Sequence, residues 1–314
     1  MRAVAVVVNF NGGEDLPRCL AALAAQTDTV EVVLVDCCSS DGSRRLAEKP
    51  PARVRGVPLE CNLGYSGGCN AGLAASAPEA EIVGFFNPDC FLSPDYFATC
   101  RRLFEKHDDI GGVAGRLERA DGVHLDSCGQ VLTPLLLRVR DRGYGDHAVG
   151  AFRGPARVLA ACGAAMVYRR AALAQTAVDG EVFPSEFFAF WEDLDLGWRV
   201  SNAGWRVMYE PGAIAVPRRA ATAAPGSGRL MFRRSPELAA VMVVNRWATM
   251  LRNLHPVDFW LRAPVLLPGE LAMLALILLR RPAILPALLT SGPRLRRAAR
   301  QRTRLPQRRL AELL

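Results

Sequence analysis

The sequence predicts an α/β fold on a mostly parallel sheet, and three observations carry that prediction. Short, β-branched apolar runs alternate with helix-patterned segments from residue 3 to residue 90. Polar residues gather just beyond the ends of those runs, where open parallel sheets bind their ligands. Half of the 314 residues are hydrophobic, so the chain can bury a large core and global disorder is excluded.

Taken in order, AVAVVVNF reads as a first strand closed by Asn9 and Asn11, and EDLPRCLAALAAQ as an amphipathic helix. VEVVLVD is a second strand ending at Asp36, followed by a Ser/Asp/Gly turn and a short helix. VRGVPLE is a third strand with Asn62 just beyond it. A helix over Ala71 to Ser76 follows, then the strand EIVGFFNPD, which ends on Asn87 and Asp89. Residues 111 to 168 are more β-like and irregular, with glycine punctuation. The Ala, Pro, Gly, Arg and Ser composition from about Pro217 to Arg234 predicts a mobile loop or connection. Ser235-Pro236-Glu237 is a capped helix start with a first-turn proline. These patterns divide the chain into residues 1–225, an α/β domain, and 226–314, a helical region with a basic tail.

The net charge of +8 is unevenly placed. Residues 291 to 314 hold eight Arg and one Glu, which leaves the rest of the chain nearly neutral. That distribution argues against a nucleic-acid-binding surface. Residues 261 to 289 are strongly apolar, but Glu270, Arg280, Arg281 and prolines at 264, 268, 282 and 286 divide them. The longest uninterrupted run, Leu271 to Leu279, falls well short of the roughly 20 residues a spanning helix needs. An interfacial anchor is expected instead, apolar helices beside an Arg-rich tail that an anionic membrane surface attracts. Nine cysteines without a CxxC pair predict neither a disulfide framework nor a zinc ribbon, and a reducing, cytosolic setting. The opening strand pattern shows no export signal.

Chemistry is expected in FFAFWEDLDLGWRVSNAGWRVMYEP, residues 187 to 211. Glu192, Asp193 and Asp195 lie between Trp191 and Trp198, and holding three charges against an apolar surface is costly unless they are used. A helix starting near Glu192 puts them in its first turn, where the dipole favours anions. Asp195 and Arg199 are four apart and can pair along the helix, so Glu192 and Asp193 remain to face a cleft. The plain alternative is an acidic helix start with apolar flanks. Trp198 and Trp205 read as core residues, and Cys37 and Cys38 as small residues rather than a redox pair.

NLGYSGGCNAG, residues 62 to 72, is a glycine-rich turn before a helix, suited to close backbone approach by a phosphate or sugar. FFNPDC, residues 85 to 90, sets a carboxylate just past a buried strand, where a hard cation bridging phosphates needs an oxygen ligand. With VVVNFN, VDCCSSDGS, CGAAMVYRRAAL and FFAFWEDLDLGWR they form an ordered series of six motifs. Over residues 1 to about 215 that series resembles family 2 glycosyltransferases, particularly the rhamnosyltransferase-like branch.

The resemblance implies a GT-A fold, here with a C-terminal helical, membrane-associating extension, and inverting transfer from a nucleotide-diphospho-sugar. It implies that Asp36 reads the base with Asn9 and Asn11 nearby, and that Asn62, Gly67, Gly68, Asn70 and Asn87 line the nucleotide-sugar. Asp89 would hold Mg²⁺ or Mn²⁺, Asp193 would be the general base, and Glu192 is the second choice. Two departures stand out: Cys37-Cys38 replaces an amide-bearing residue after the second strand, and no His occurs between His147 and His255. Arg218 or Arg219 is expected to meet the diphosphate in its place. The leading expectation is a peripheral enzyme at the inner face of the cell membrane. It moves a sugar, rhamnose from a dTDP donor in the first instance, to a lipid-linked or polysaccharide acceptor in cell-envelope synthesis. The alternatives are a UDP- or GDP-sugar donor on the same fold, and a non-catalytic nucleotide-sugar or membrane-binding protein.

Overall fold

The computed structural model describes residues 1–314 except 149, 151, 219–233, 303 and 314. The first half of the chain alternates as its patterning predicts: β1 (Ala3–Asn9), α1 (Asp15–Ala24), β2 (Val30–Asp36), α2 (Arg45–Glu48), β3 (Val54–Pro58), α3 (Gly64–Ala75) and β4 (Ile82–Phe86). There follow β5 (Cys90–Leu92), α4 (Tyr96–Lys106), β6 (Ile110–Glu118), β7 (Leu125–Ser127), β8 (Gln130–Leu132), β9 (Val139–Asp141), β10 (Ala156–Val158), β11 (Ala165–Arg169) and α5 (Arg170–Thr176). Then come α6 (Glu192–Asn202), β12 (Arg206–Pro217), α7 (Pro236–Asn253), α8 (Pro256–Arg280), α9 (Leu285–Leu289), α10 (Gly292–Arg302) and α11 (Leu310–Leu313).

One ten-stranded sheet runs in the order β10-β12-β6-β11-β4-β1-β2-β3, with β5 and β7 pairing at β12 and β6. β3, β2, β1 and β4 are mutually parallel, and β11 inserts antiparallel between β4 and β6. Every residue of β1 is buried, as a parallel strand covered by helices on both faces should be. The register Asn9↔Asp36 brings the polar ends of β1 and β2 side by side. Open parallel sheets take their ligands at this carboxyl edge.

Two segments differ from the sequence reading. The glycine-rich stretch is not a turn preceding a helix at Ala71, because α3 begins at Gly64. Packing explains the difference: a Cβ on Gly68 would lie 2.4 Å from Val8 Cγ1, and one on Gly72 only 2.2 Å from Val6 Cγ1. Glycine costs a helix about 0.5–1 kcal/mol per residue, and close helix-on-sheet packing offsets that cost.

The second difference lies at the C-terminus. Pro264 and Pro268 do not divide the apolar segment, which forms a single 25-residue helix, α8. Among the described residues it is the one helix long and apolar enough to cross a membrane by length and composition. Trp260, Leu261, Val265, Leu271, Leu278 and Leu279 are exposed along it. The basic tail is folded back onto the protein at several points. Arg297 and Arg304 pair with Asp179, Arg309 with Asp258, and Arg302 caps the Leu251 carbonyl. The connection expected from Pro217 to Arg234 lies largely outside the described residues.

Candidate active site

At the ends of β1 and β2 the polar side chains form one closed network. The Asn9 amide donates to Asp36 Oδ1 at 2.7 Å and Ser43 Oγ at 2.8 Å, and its Oδ1 accepts from the Gly12 N–H. Asp36 is fully buried and also accepts from the Ser39 hydroxyl and N–H. Asn11 sits at φ 53° and accepts from the Ser40 N–H at 2.8 Å. The loop amide missing at Cys37-Cys38 is thus supplied from the neighbouring strand by Asn9 and Asn11. Both Asp36 oxygens are thus engaged within this network. Cys37 is buried and its thiol pKa is raised to about 11, chiefly by burial, which makes it a packing residue.

The glycine-rich segment has internal tasks as well. Asn62 Oδ1 accepts from the Gly64 N–H at 2.8 Å and starts α3. Gly67 and Gly68 are buried in that helix. Asn70 makes a two-way bridge to the backbone of Phe183, at 2.6 and 3.0 Å, which steadies the chain leading into the acidic segment.

The acidic helix α6 starts at Glu192, as the sequence reading requires, and its carboxylates divide into three environments. Asp193 is partly exposed. Its Oδ2 accepts from the Gly163 N–H and from Gln130 Nε2, both at 2.8 Å, while Oδ1 accepts from the Leu194 N–H. Burial raises its pKa, with Asp141 adding to the shift and the N–H donors opposing it. Glu192 is 6% exposed, and its Oε2 has no hydrogen-bond partner. Burial first, and Asp193 second, hold its pKa well above the ordinary carboxylate range. The two neighbouring carboxyl groups thus differ in their partners: Asp193 is held by N–H donors, and Glu192 Oε2 is buried without one.

Gly163 belongs to this site for a steric reason. A Cβ there would lie 3.2 Å from Asp193 Oδ2, and its carbonyl is held by the Tyr65 hydroxyl at 2.6 Å. Gln130, Gly163 and Tyr65 were not picked out from the sequence. Gly163 lies inside the CGAAM motif and Tyr65 inside NLGYSGGCNAG, while Gln130 lies in no motif.

The stretch before α6 is strained. Phe188, Phe190 and Trp191 all take positive φ, at 57°, 68° and 72°, an arrangement that persists only where surroundings enforce it. The enforcing groups come from the C-terminal helices. The Asn245 amide on α7 donates to the carbonyls of Phe187, Ala189 and Phe190, and Arg294 on α10 donates to Asn245 Oδ1 and the Glu186 carbonyl. On the other side the Phe188 carbonyl accepts from the Ser66 N–H of α3.

Asp195 points inward and is fully buried. It accepts from Arg199 at 2.8 Å, confirming the expected i,i+4 pair, and also from Arg252 at 2.6 Å and Asn253 at 2.9 Å. Burial alone would raise its pKa, but Arg252 and Arg199 outweigh that and lower it. Arg252 passes the connection on to Gln301, which in turn donates to Asp179. Trp198 is fully buried, and the half-buried Trp205 donates to Gln175, so neither offers a stacking platform.

Asp89 and Asn87 lie partly exposed at the end of β4. Among the described residues no three His, Cys, Asp or Glu side chains converge as a metal cage. One carboxylate beside an amide fits a Mg²⁺ or Mn²⁺ ion that keeps waters and takes its other oxygens from a diphosphate. The Arg218 N–H donates to the Asp89 carbonyl at 2.9 Å, which brings this residue to the same rim, but its guanidinium pairs with Asp15 at 2.7 Å. Arg219 lies outside the described residues.

A family model described as "Glycosyl transferase family 2" matches residues 4–176, more than half of the chain. The chain belongs to glycosyl transferase family 2. The matched span includes the Asn9–Asp36 network, α3, Asp89 and Gly163; α6, with Asp193, begins at Glu192, beyond its end. This family 2 chain is 29% identical over 242 residues to an N-acetylglucosaminyl-diphospho-decaprenol L-rhamnosyltransferase of Mycobacterium tuberculosis, covering 68% of this chain and 75% of that one. It is 35% identical over 123 residues to the succinoglycan biosynthesis protein ExoO of Rhizobium meliloti, covering 38% and 34%. Among solved structures it is similar to S. aureus TarS 1-349 in complex with UDP-GlcNAc, with TM-score 0.60 and 18% identity, over 95% of this chain and 82% of that one. It is likewise similar to the mannosyltransferase PcManGT of Pyrobaculum calidifontis in complex with GDP-Man and Mn²⁺, with TM-score 0.55 and 19% identity, over 96% and 84%. The glycosyltransferase fold expected from the motifs, GT-A with a C-terminal helical extension, is the fold observed.

Proposed function

We propose that this glycosyltransferase transfers a sugar, with inversion, from a nucleotide-diphospho-sugar to a hydroxyl of a lipid-linked or polysaccharide acceptor in cell-envelope synthesis. The observation that carries the reading is Asp193, a partly exposed carboxylate held by three N–H donors beside the buried Glu192. The similarity to a rhamnosyltransferase acting on a diphospho-decaprenol acceptor supports the acceptor class, and makes dTDP-rhamnose the first donor to test.

In this mechanism Asp193 takes the acceptor hydroxyl proton as the oxygen attacks the anomeric carbon. The new C–O bond forms on the face opposite the diphosphate, and the old bond to the diphosphate oxygen breaks, releasing the nucleoside diphosphate. Gln130 and the Gly163 N–H fix the orientation of the carboxylate, so little reorganisation accompanies the step. Asp89, with Asn87 beside it, would hold a divalent cation, whose bound chemistry is neutralisation of charge on the leaving diphosphate. Asn9, Asn11 and Asp36 shape the nucleoside end of the cleft, Asn62 faces the donor from the start of α3, and Arg218 adds positive charge at the diphosphate rim.

Membrane association follows from α8, whose exposed apolar residues suit the acyl boundary of a membrane. The Arg-rich tail contributes less attraction to anionic headgroups than its charge suggests, because several of its guanidinium groups are already paired within the protein. A panel of dTDP-, UDP- and GDP-sugars with Mg²⁺ and Mn²⁺, read as a rise in melting temperature and then as released nucleotide, tests the function. Binding without turnover in the presence of lipid-linked acceptors would instead indicate a non-catalytic nucleotide-sugar-binding protein.

A further inference from the structure

Two of the four histidines face each other across an irregular two-stranded ribbon. Its pairing runs from Leu132↔Val139 and Gln130↔Asp141, past the bond from the Cys128 N–H to the Arg142 carbonyl, to the antiparallel bridge His124↔His147. The bonds flanking that bridge run from the Leu125 N–H to the Asp146 carbonyl and from the Ala148 N–H to the Val123 carbonyl, both at 2.8 Å. His124 and His147 are therefore a non-hydrogen-bonded pair, the kind that brings opposed side chains closest, on one face of the ribbon. Their imidazole rings lie accordingly with centroids 5.0 Å apart and planes inclined at 40°.

Asp121 orients one of the two rings. Its Oδ1 accepts from the N–H groups of Val123 at 2.8 Å and His124 at 3.0 Å, and its Oδ2 lies 2.9 Å from His124 Nδ1. A carboxylate only accepts, so the proton of this bond sits on Nδ1, and the lone pair of the neutral ring is on Nε2. A carboxylate on the far nitrogen is the arrangement that fixes metal-ligating imidazoles. His147 is exposed, and its ring has no hydrogen-bond partner among the described residues. The guanidinium of Arg119 is drawn over the Tyr144 ring, 4.4 Å from its centroid.

We infer that His124 and His147 bind a divalent cation of the Zn²⁺ or Ni²⁺ class, one nitrogen from each ring, with water completing the coordination. A tetrahedral ion holds two nitrogens at about 2.0–2.1 Å each, and so about 3.3 Å apart. The histidine χ2 torsion is broad, so rings at this separation reach that span by turning, with the backbone pair left in place. Imidazole selects these ions over Mg²⁺, which prefers oxygen ligands, so the pair differs in chemistry from the carboxylate at Asp89. An ion bridging the two rings clamps together the same two strands that carry Gln130, whose amide holds Asp193. The site requires nothing of the glycosyltransferase reading.

The test titrates Ni²⁺ alone into the full chain by calorimetry, because the exposed thiols of Cys38 and Cys61 compete more strongly for zinc. His124→Gln and His147→Gln each remove one of the two protein ligands, and each should weaken binding by at least about ten-fold. Ni²⁺ should raise the melting temperature of the native chain more than that of either variant, since an ion held only by the folded state stabilises it by mass action. Equal affinity in the native chain and both variants overturns the inference, as does a native chain that binds no Ni²⁺ up to about 1 mM. A second measurement needs no variant: modification of the native chain by diethyl pyrocarbonate, read by mass spectrometry with and without Ni²⁺. Protection of His124 and His147 beyond that of His107 and His255 is the expected result. Equal modification of all four in the presence and absence of Ni²⁺ overturns the site.

Discussion

Replacing Asp195 with Asn removes the charge at the centre of a buried cluster without changing its shape. Asp195 accepts from Arg199, Arg252 and Asn253, and both arginines are almost fully buried. The amide nitrogen of Asn must face a donor on one side, and the two guanidinium groups lose their shared counter-charge. Breaking a buried ion pair from one side costs about 3–5 kcal/mol, and two pairs meeting on one carboxylate place this variant at the upper end. Against a typical total of about 5–15 kcal/mol, that is a large fraction of the stability. At about 2 °C per kcal/mol for a large domain, the melting temperature should fall by about 6–10 °C. Thermal and urea unfolding followed by circular dichroism measure it. A loss below about 1 kcal/mol, the level of an exposed surface pair, would refute the claim that this network fastens the C-terminal helices to α6.

Further outcomes follow from the same geometry. Glu192 has a folded-state pKa raised above its unfolded value, so its contribution to stability is present below the unfolded pKa and is lost as pH rises through the folded one. Glu192→Gln should therefore match the native chain near pH 4 and be more stable at pH 8, by up to about 1.4 kcal/mol for each pH unit between the two pKa values; an identical difference between the two chains at both pH values would contradict the raised pKa of Glu192. Asn245→Ala leaves the carbonyls of the strained loop without their donor, at a cost of about 1–3 kcal/mol, and turnover should fall with it; unchanged stability and turnover would show that the loop holds itself. Trp260→Ser with Leu271→Ser should reduce vesicle flotation by about ten-fold or more, since each buried apolar side chain contributes about 1.5–3 kcal/mol. If flotation is instead abolished by high salt and indifferent to these changes, the Arg-rich tail carries the attachment.

Much of the fold was legible because the parallel half of the sheet is written in local pattern. β1, β2 and β4 are apolar runs ending in Asn or Asp, and α6 starts where the acidic residues begin. The start of α3 was not legible, because Gly67, Gly68 and Gly72 look like a turn until the side chains of Val6 and Val8 opposite them are known. α8 was misread for a related reason: prolines at 264 and 268 signal interruption locally, yet the helix continues. In the site, Asp193 and its separation from Asp195 could be read from spacing along one helix. Gln130 and Asn245 could not, since each reaches the site from a distant segment and has no motif of its own. The pairing of the basic tail was not legible because its partners Asp179 and Asp258 are remote in sequence.

The central claim is that Asp193 takes the acceptor proton, and its direct test is the turnover of Asp193→Asn with the donor selected by the panel and a lipid-linked acceptor. Burial raises the pKa of Asp193, so in the native chain activity should be lost as pH falls through a value above the ordinary carboxylate range of about 4. The account predicts that kcat of the variant falls by at least about 10² and loses this acid limb, while the donor-induced rise in melting temperature persists. Near-normal turnover of Asp193→Asn, with the acid limb intact, would contradict it.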